Sequence, residues 1–152
     1  MRKKSNYKPK QVFINPVAYA VEGAKLLAEE HPSYVTELKI KNHAAMLALT
    51  RGEATKRDMD CLIQMYNIMD AFRVLGIGGI EQEIHTTGQS ISSIARRNKF
   101  LATGPEITAI NTLMDYHDEL IEHITLRQLE MAVKEIQRTL KAGKAEVLGA
   151  KK

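Results

Sequence analysis

The sequence is poor in the residues that most often mark a fold or a chemistry. It holds no tryptophan, and aromatic residues make up only 5% of it. Its apolar content, 44% of the chain, draws heavily on Leu, Ile, Met and Ala. Such side chains lose little rotamer freedom in a helix, so the composition points to a helical bundle. A single cysteine, Cys61, excludes an intramolecular disulfide and makes the cytoplasm the default compartment. No apolar run approaches the roughly 18–20 residues of a membrane span, which predicts a soluble protein without membrane contact. The basic start Met1-Arg2-Lys3-Lys4-Ser5 is not followed by the apolar segment of a signal peptide. No stretch alternates as a strand would, and there is no internal repeat or low-complexity linker.

What is present is an ordinary domain with an uneven charge. The 152 residues are enough for one domain with a real core. The net charge of +4 comes from the ends: residues 1–10 carry +5, residues 134–152 carry +4, and residues 11–133 carry −5. A division into a basic flexible arm (1–11), a helical domain (12–142) and a basic tail (143–152) follows. The arm residues Arg2, Lys3, Lys4, Lys8 and Lys10 could touch nucleic acid or an acidic partner. The plain alternative is a solvated tail, because a nucleic-acid-binding domain normally carries positive charge on its folded body too.

Periodicity predicts an all-α bundle of about five helices. Asn15-Pro16 reads as a helix start, with Asn as cap and Pro at the first helical position. The first helix runs to about Glu30, where His31-Pro32 stops it. A second covers about 33–50, and Gly52 ends it. Thr55-Lys56-Arg57-Asp58 resembles a capping signature and opens a third over about 56–75. The wide apolar surface of this helix predicts a central position. Gly76-Ile77-Gly78-Gly79 breaks the chain, and a fourth helix over about 80–98 is weakened by Gly88. Thr103-Gly104-Pro105-Glu106 is the strongest start signal of all.

The fifth helix meets neither Pro nor Gly between Glu106 and Gly143. Unbroken, it spans about 38 residues, or about 57 Å at 1.5 Å per residue. A compact domain of this size is nearer 30–35 Å across, well short of that length. Either the helix breaks near Thr125, where Gln128 offers a second capping box, or its end projects. A projecting stripe of Leu129, Val133, Ile136 and Leu140 needs a partner surface, and a second copy of the chain supplies one. The expectation is a homo-oligomer.

Three patterns invite a chemical reading. The glycine turn at 76–79 follows a helix rather than a strand, and Glu81 stands where a dinucleotide fingerprint needs its third glycine. It reads as a helix cap. The run from Asp115 to His123 is dense in acids and imidazoles. Asp115, Asp118, Glu119, Glu122 and His123 include pairs at the i, i+4 spacing that metal ligands share on a helix. The alternative is a solvated acidic face, with His117 turned to the core and hydrogen-bonded. The basic clusters Arg51, Lys56, Arg57 and Arg96, Arg97, Lys99 admit nucleic-acid binding. Arg96 and Arg97 also suit a helix C-terminus. Cys61 and Ser90, Ser92 and Ser93 sit in no nucleophile pattern, so no catalytic residue and no cofactor is indicated.

Three stretches carry a resemblance. They are Asn15-Pro16-Val17-Ala18-Tyr19 with Glu22-Gly23, Leu38 through Met46 with Leu49 through Thr55, and Phe100 through Glu106 with His117-Asp118. Together they resemble small helical proteins encoded by bacteriophages, prophages and plasmids of proteobacteria. The resemblance implies a bacterial cytoplasm and a stoichiometric accessory role on a host or defence macromolecule. It transfers no catalytic residue. The alternatives are a nucleic-acid-binding accessory protein, and a metal- or nucleotide-binding enzyme or ligand-sequestering protein with a site between the last three helices.

Overall fold

The structure, a computed structural model, describes residues 16–143. Among them the chain forms seven helices and no strand. They are α1 (Pro16–Gly23), α2 (Leu27–Glu30), α3 (Pro32–Thr50), α4 (Lys56–Val74), α5 (Glu81–Ala95), α6 (Gly104–His123) and α7 (Leu126–Lys141). The all-α reading holds, and the count of about five is corrected by two breaks. The arm at 1–11, the proposed cap Asn15 and the tail from 144 onward lie outside the described residues.

Four helices form the frame. α3 packs on α4, α4 on α5, α5 on α6, and α6 back on α3. The connections Arg51–Thr55, Leu75–Ile80 and Arg96–Thr103 are short, so sequential neighbours run antiparallel. The closing pair is antiparallel too: Lys39 meets Glu122 and, one turn further along α3, His43 meets Asp118. The result is an up-down-up-down ring. Its interior is filled by Leu49, Leu62, Met65, Met69, Phe72, Ile91, Ile94, Ile110, Leu113 and Met114. α4 touches α3, α5, α6 and α7, the central place its apolar surface predicts.

Local chemistry starts and stops these helices. The Asp58 carboxylate accepts hydrogen bonds from the Thr55 backbone N–H and hydroxyl, both at 2.8 Å. The Glu106 carboxylate accepts from the Thr103 N–H at 2.8 Å. α4 ends in a Schellman turn: Ile77 N–H reaches the Phe72 carbonyl at 2.8 Å, and Gly76 supplies the left-handed residue at φ 75°.

The long fifth helix does not exist as one piece. Ile124 leaves α6 with ψ 150°, and Thr125 caps α7. Gln128 N–H donates to Thr125 Oγ1 at 3.2 Å, and Thr125 N–H donates to Gln128 Oε1 at 2.9 Å. The chain therefore turns at the second capping box, and α7 folds back onto α4. The first predicted helix is also split. Leu26 is extended and pairs with Thr125 in a two-residue antiparallel bridge. Leu27 N–H donates to the Ile124 carbonyl at 3.0 Å and Leu126 N–H to the Lys25 carbonyl at 2.9 Å. α1 then lies antiparallel along α7, with Tyr19 donating to Glu130 at 3.0 Å and Gly23 close to Arg127.

Of the proposed interface stripe, α7 uses half internally. Leu129 and Ile136 pack against the core, with the fully buried Ala132 between them, while Val133 and Leu140 stay exposed. The length argument for a second copy is thereby removed, because the helix that required it is folded back on its own bundle.

Candidate functional site

The up-down order decides which side chains share an end. The α3–α4 turn and the α5–α6 connection both lie at one end of the ring. They touch: a Cβ placed on Gly52 would stand 3.2 Å from Leu101 Cδ2. Two basic clusters some forty residues apart in sequence are thus brought to the same end. Arg51, Lys56, Arg57, Arg96 and Lys99 are exposed there, and none makes a salt bridge among the described residues. The N-termini of α4 and α6 and the C-termini of α3 and α5 all open on this end, so their helix dipoles offset one another and the charge of the surface is that of its side chains. The acids Glu53 and Asp60 are exposed at this end too, whereas Asp58 is drawn into its cap on Thr55, which holds its carboxyl below the usual carboxylate range.

Arg97 lies in the same connection but, unlike the other five, is engaged within the fold. Its guanidinium grips both Glu106 oxygens at 2.7 Å, the Leu101 carbonyl at 2.5 Å and Ser93 Oγ at 3.1 Å. It is the clamp that holds the α5–α6 connection in shape. The arm residues Arg2, Lys3, Lys4, Lys8 and Lys10 lie outside the described residues.

The acid and imidazole run on α6 is dispersed rather than gathered. Glu122 pairs with Lys39, Asp118 with His43, and His123 Nδ1 lies 2.8 Å from the Glu119 carbonyl. Asp115 is exposed. Among the described residues no group of three or more His, Cys, Asp or Glu side chains is placed to hold a metal ion, so the metal set Asp115, Asp118, Glu119, Glu122 and His123 is not assembled. Helical spacing alone put pairs on one face, but Asp118 and Glu122 are each engaged by a single side chain of α3 across the bundle.

What the run does build is a polar seam between α3 and α6. Asp118 joins two imidazoles: Oδ1 faces His117 Nδ1 at 3.1 Å, and Oδ2 faces His43 Nε2 at 2.5 Å. The His117 side chain is fully enclosed, as its turn toward the core implied. An ionised carboxylate only accepts, so His117 Nδ1 carries the proton and Nε2 the lone pair. That Nε2 has no hydrogen-bond partner, and neither has the buried Asn42 Nδ2. Asn42 precedes His43, His117 precedes Asp118, and the 43–118 contact sets both pairs at one level. The seam thus holds one buried acceptor and one buried donor without a partner.

The seam gives the protein a pH dependence. Burial pushes the His117 imidazole below its ordinary range, opposed by Asp118, while Lys39 and His43 across the seam push it further down. The unfolded chain takes up this proton at about pH 6.5 and the folded chain resists it. Stability is therefore full above that pH and falls as the pH drops below it. Urea midpoints measured from pH 7.5 to 5 should decline, and His117→Leu should flatten the decline. An equal slope in the variant would assign the acid sensitivity elsewhere.

No family model matches the chain, and no curated protein or solved structure matches it.

Proposed function

We propose that the protein is a stoichiometric accessory protein, of the kind encoded by phages and mobile elements, that works in a bacterial cytoplasm by binding a nucleic acid. The observation that carries this reading is the meeting of the α3–α4 turn and the α5–α6 connection at Gly52 and Leu101. It turns two unremarkable basic clusters into one surface with five unpaired cations. The rest of the bundle is acidic enough to repel phosphate and so orients the encounter. The basic arm adds charge that the phosphate backbone can take up without sequence preference.

A gel-shift or anisotropy titration with a short duplex and a single strand tests this. Binding should be readily measured at about 50 mM salt and steeply lost by about 200 mM. Replacing Lys56, Arg57 and Arg96 together by Ala should reduce the logarithmic salt slope by about three, roughly one per lost phosphate contact. The melting temperature should stay close to wild type, because these side chains are exposed and make no salt bridge. No binding at low salt sinks the reading.

A second reading, a homo-oligomer that binds a host protein, is favoured by one observation. α1 buries none of its residues, and Val17 at 71% and Val21 at 60% are openly exposed, as is Leu140 at 62% on the neighbouring α7. Light scattering behind gel filtration separates the two: a dimer that Val21→Glu or Leu140→Glu splits supports this reading, and a monomer at all concentrations removes it.

A further inference from the structure

The end of the ring opposite the basic surface is the richer in acids, two of which, Glu81 and Glu122, are paired with Arg73 and Lys39. Glu29, Glu30, Glu81, Glu83, Glu119 and Glu122 all lie there, at the α2–α3 and α4–α5 turns and the C-terminal part of α6. A cavity of about 290 Å³ opens at that end between α4, the α4–α5 turn and α6. Its base is apolar: Met69 and Ile80 are fully buried, and Leu120 is half-buried beside them. Its rim comes from one face of α6, where Tyr116, Glu119 and His123 recur at helical spacing.

The rim chemistry is specific. His123 Nδ1 is 2.8 Å from the Glu119 carbonyl one turn back, so in the neutral ring Nδ1 carries the proton and Nε2 presents a lone pair. The Glu119 carboxylate makes no hydrogen bond or salt bridge among the described residues, and the aromatic Tyr116 lines the same cavity. An imidazole lone pair, a carboxylate and an aromatic ring around an apolar floor are three acceptors of positive charge and no fixed donor of it. A carboxylate ligand would meet Glu119 and the surrounding acids; a neutral apolar ligand would leave all three unused. The charged match is an ammonium group, which can donate to Glu119 and to His123 Nε2 and lie against Tyr116.

We infer that this cavity is a binding site for a small organic ammonium compound with an apolar body, the body seated on Met69, Ile80 and Leu120 and the cationic head held by Glu119, His123 and Tyr116. The volume lies at the small end of ligand pockets, so the ligand is a compact amine rather than a nucleotide or a cofactor. The site stands at the other end of the bundle from the nucleic-acid surface and does not depend on that reading.

2-Phenylethylamine and 2-phenylethanol form a matched test pair, equal in size and differing in charge. Methyl NMR spectra of the full chain report on Met69, Ile80 and Leu120 directly. The amine should shift these signals saturably, with a dissociation constant of about 1 mM, as expected for so small a ligand. The alcohol should bind at least tenfold more weakly. Glu119→Gln should weaken the amine by fivefold or more and leave the alcohol unchanged, which separates lost charge recognition from lost folding. A third arm, Nα-acetyl-lysine methylamide, distinguishes sources: saturation by this probe at the same methyls assigns the site to a partner's lysine side chain, and failure assigns it to a free amine. The inference is overturned if the amine and the alcohol bind equally. It is also overturned if no shift saturates, or if Glu119→Gln leaves amine binding intact.

Discussion

Gly88→Ala should destabilise the protein by about 1–2 kcal/mol, although alanine is the better helix former by about 1 kcal/mol in a helix interior. The reason lies across the α4–α5 contact. A Cβ on Gly88 would stand 2.6 Å from Tyr66 Oη, 3.1 Å from its Cζ and 3.2 Å from its Cε2. No relaxed carbon contact is that short, so either the ring or the helix must move. Overpacking of this kind typically costs about 1–3 kcal/mol. Tyr66 is half-buried and packs against the core, so a displaced ring must disturb that packing. Leucine at the same position should cost more than about 3 kcal/mol, because the whole branch then lies in the contact. Tyr66→Phe removes the closest atom and should restore part of the loss in the Gly88→Ala background. A double-mutant cycle by urea unfolding measures that coupling. A stable Gly88→Ala protein would mean that α4 and α5 have slack here and that the close approach is incidental.

The second large effect falls on Glu106. Its carboxylate makes two 2.7 Å bonds to Arg97 and closes the cap on Thr103 at 2.8 Å. Removing a cap costs about 1 kcal/mol, and charge-assisted bonds contribute about 1.5–3 kcal/mol. Glu106→Ala should therefore lose about 2–3 kcal/mol, since the partly exposed Arg97 recovers some hydration. Glu106→Gln can still accept from the Thr103 N–H and should lose less. The pH dependence has a definite sign. Arg97 holds this carboxyl at about 2 in the folded chain, against 4.5 for the free side chain. The contribution is present above about pH 4.5 and disappears as the pH falls toward 2. Acid unfolding followed by circular dichroism should show a shallower loss below pH 4.5 for Glu106→Gln than for wild type. Parallel curves would mean that the pair is cosmetic.

The sequence and the structure agree where the cause is local. Thr55, Thr103 and Thr125 each precede a residue three positions on that can reach back, and each starts a helix. The stops at Pro32 and at the Gly76 turn were legible for the same reason. Disagreement begins where the cause is distant. The break between α1 and α2 falls just after Gly23, but the extended course of Leu26 beyond it goes with a distant pairing to Thr125. Gly88 reads as a weakness in its own helix, and only the approach of Tyr66 gives it a purpose. The candidate surface follows the same rule. Arg51, Lys56, Arg57, Arg96 and Lys99 were visible as residues, but their common end depends on the up-down order of four helices. The engagement of Arg97 depends on Glu106, and that of Asp118 on His43 across the seam. The ammonium-type cavity has no sequence motif, since its floor and rim come from three separate segments.

The bridge between Leu26 and Thr125 has a consequence for the order in which the molecule assembles. Each contact between successive ring helices is a hairpin of neighbours, cheap in chain entropy and quick to form. The bridge instead closes a loop of about a hundred residues, whose ordering cost is large unless the intervening helices are already in place. The outer pair also has less to gain by forming early: α1 buries no residue, and α7 fully buries only Ala132, with Leu129 and Ile136 half-buried against the core. The α1–α7 layer is thus the last cooperative unit to form and the first to open. Its opening uncovers the outer face of α4 without dismantling the ring, so the two ends of the bundle keep their opposite charges in either state.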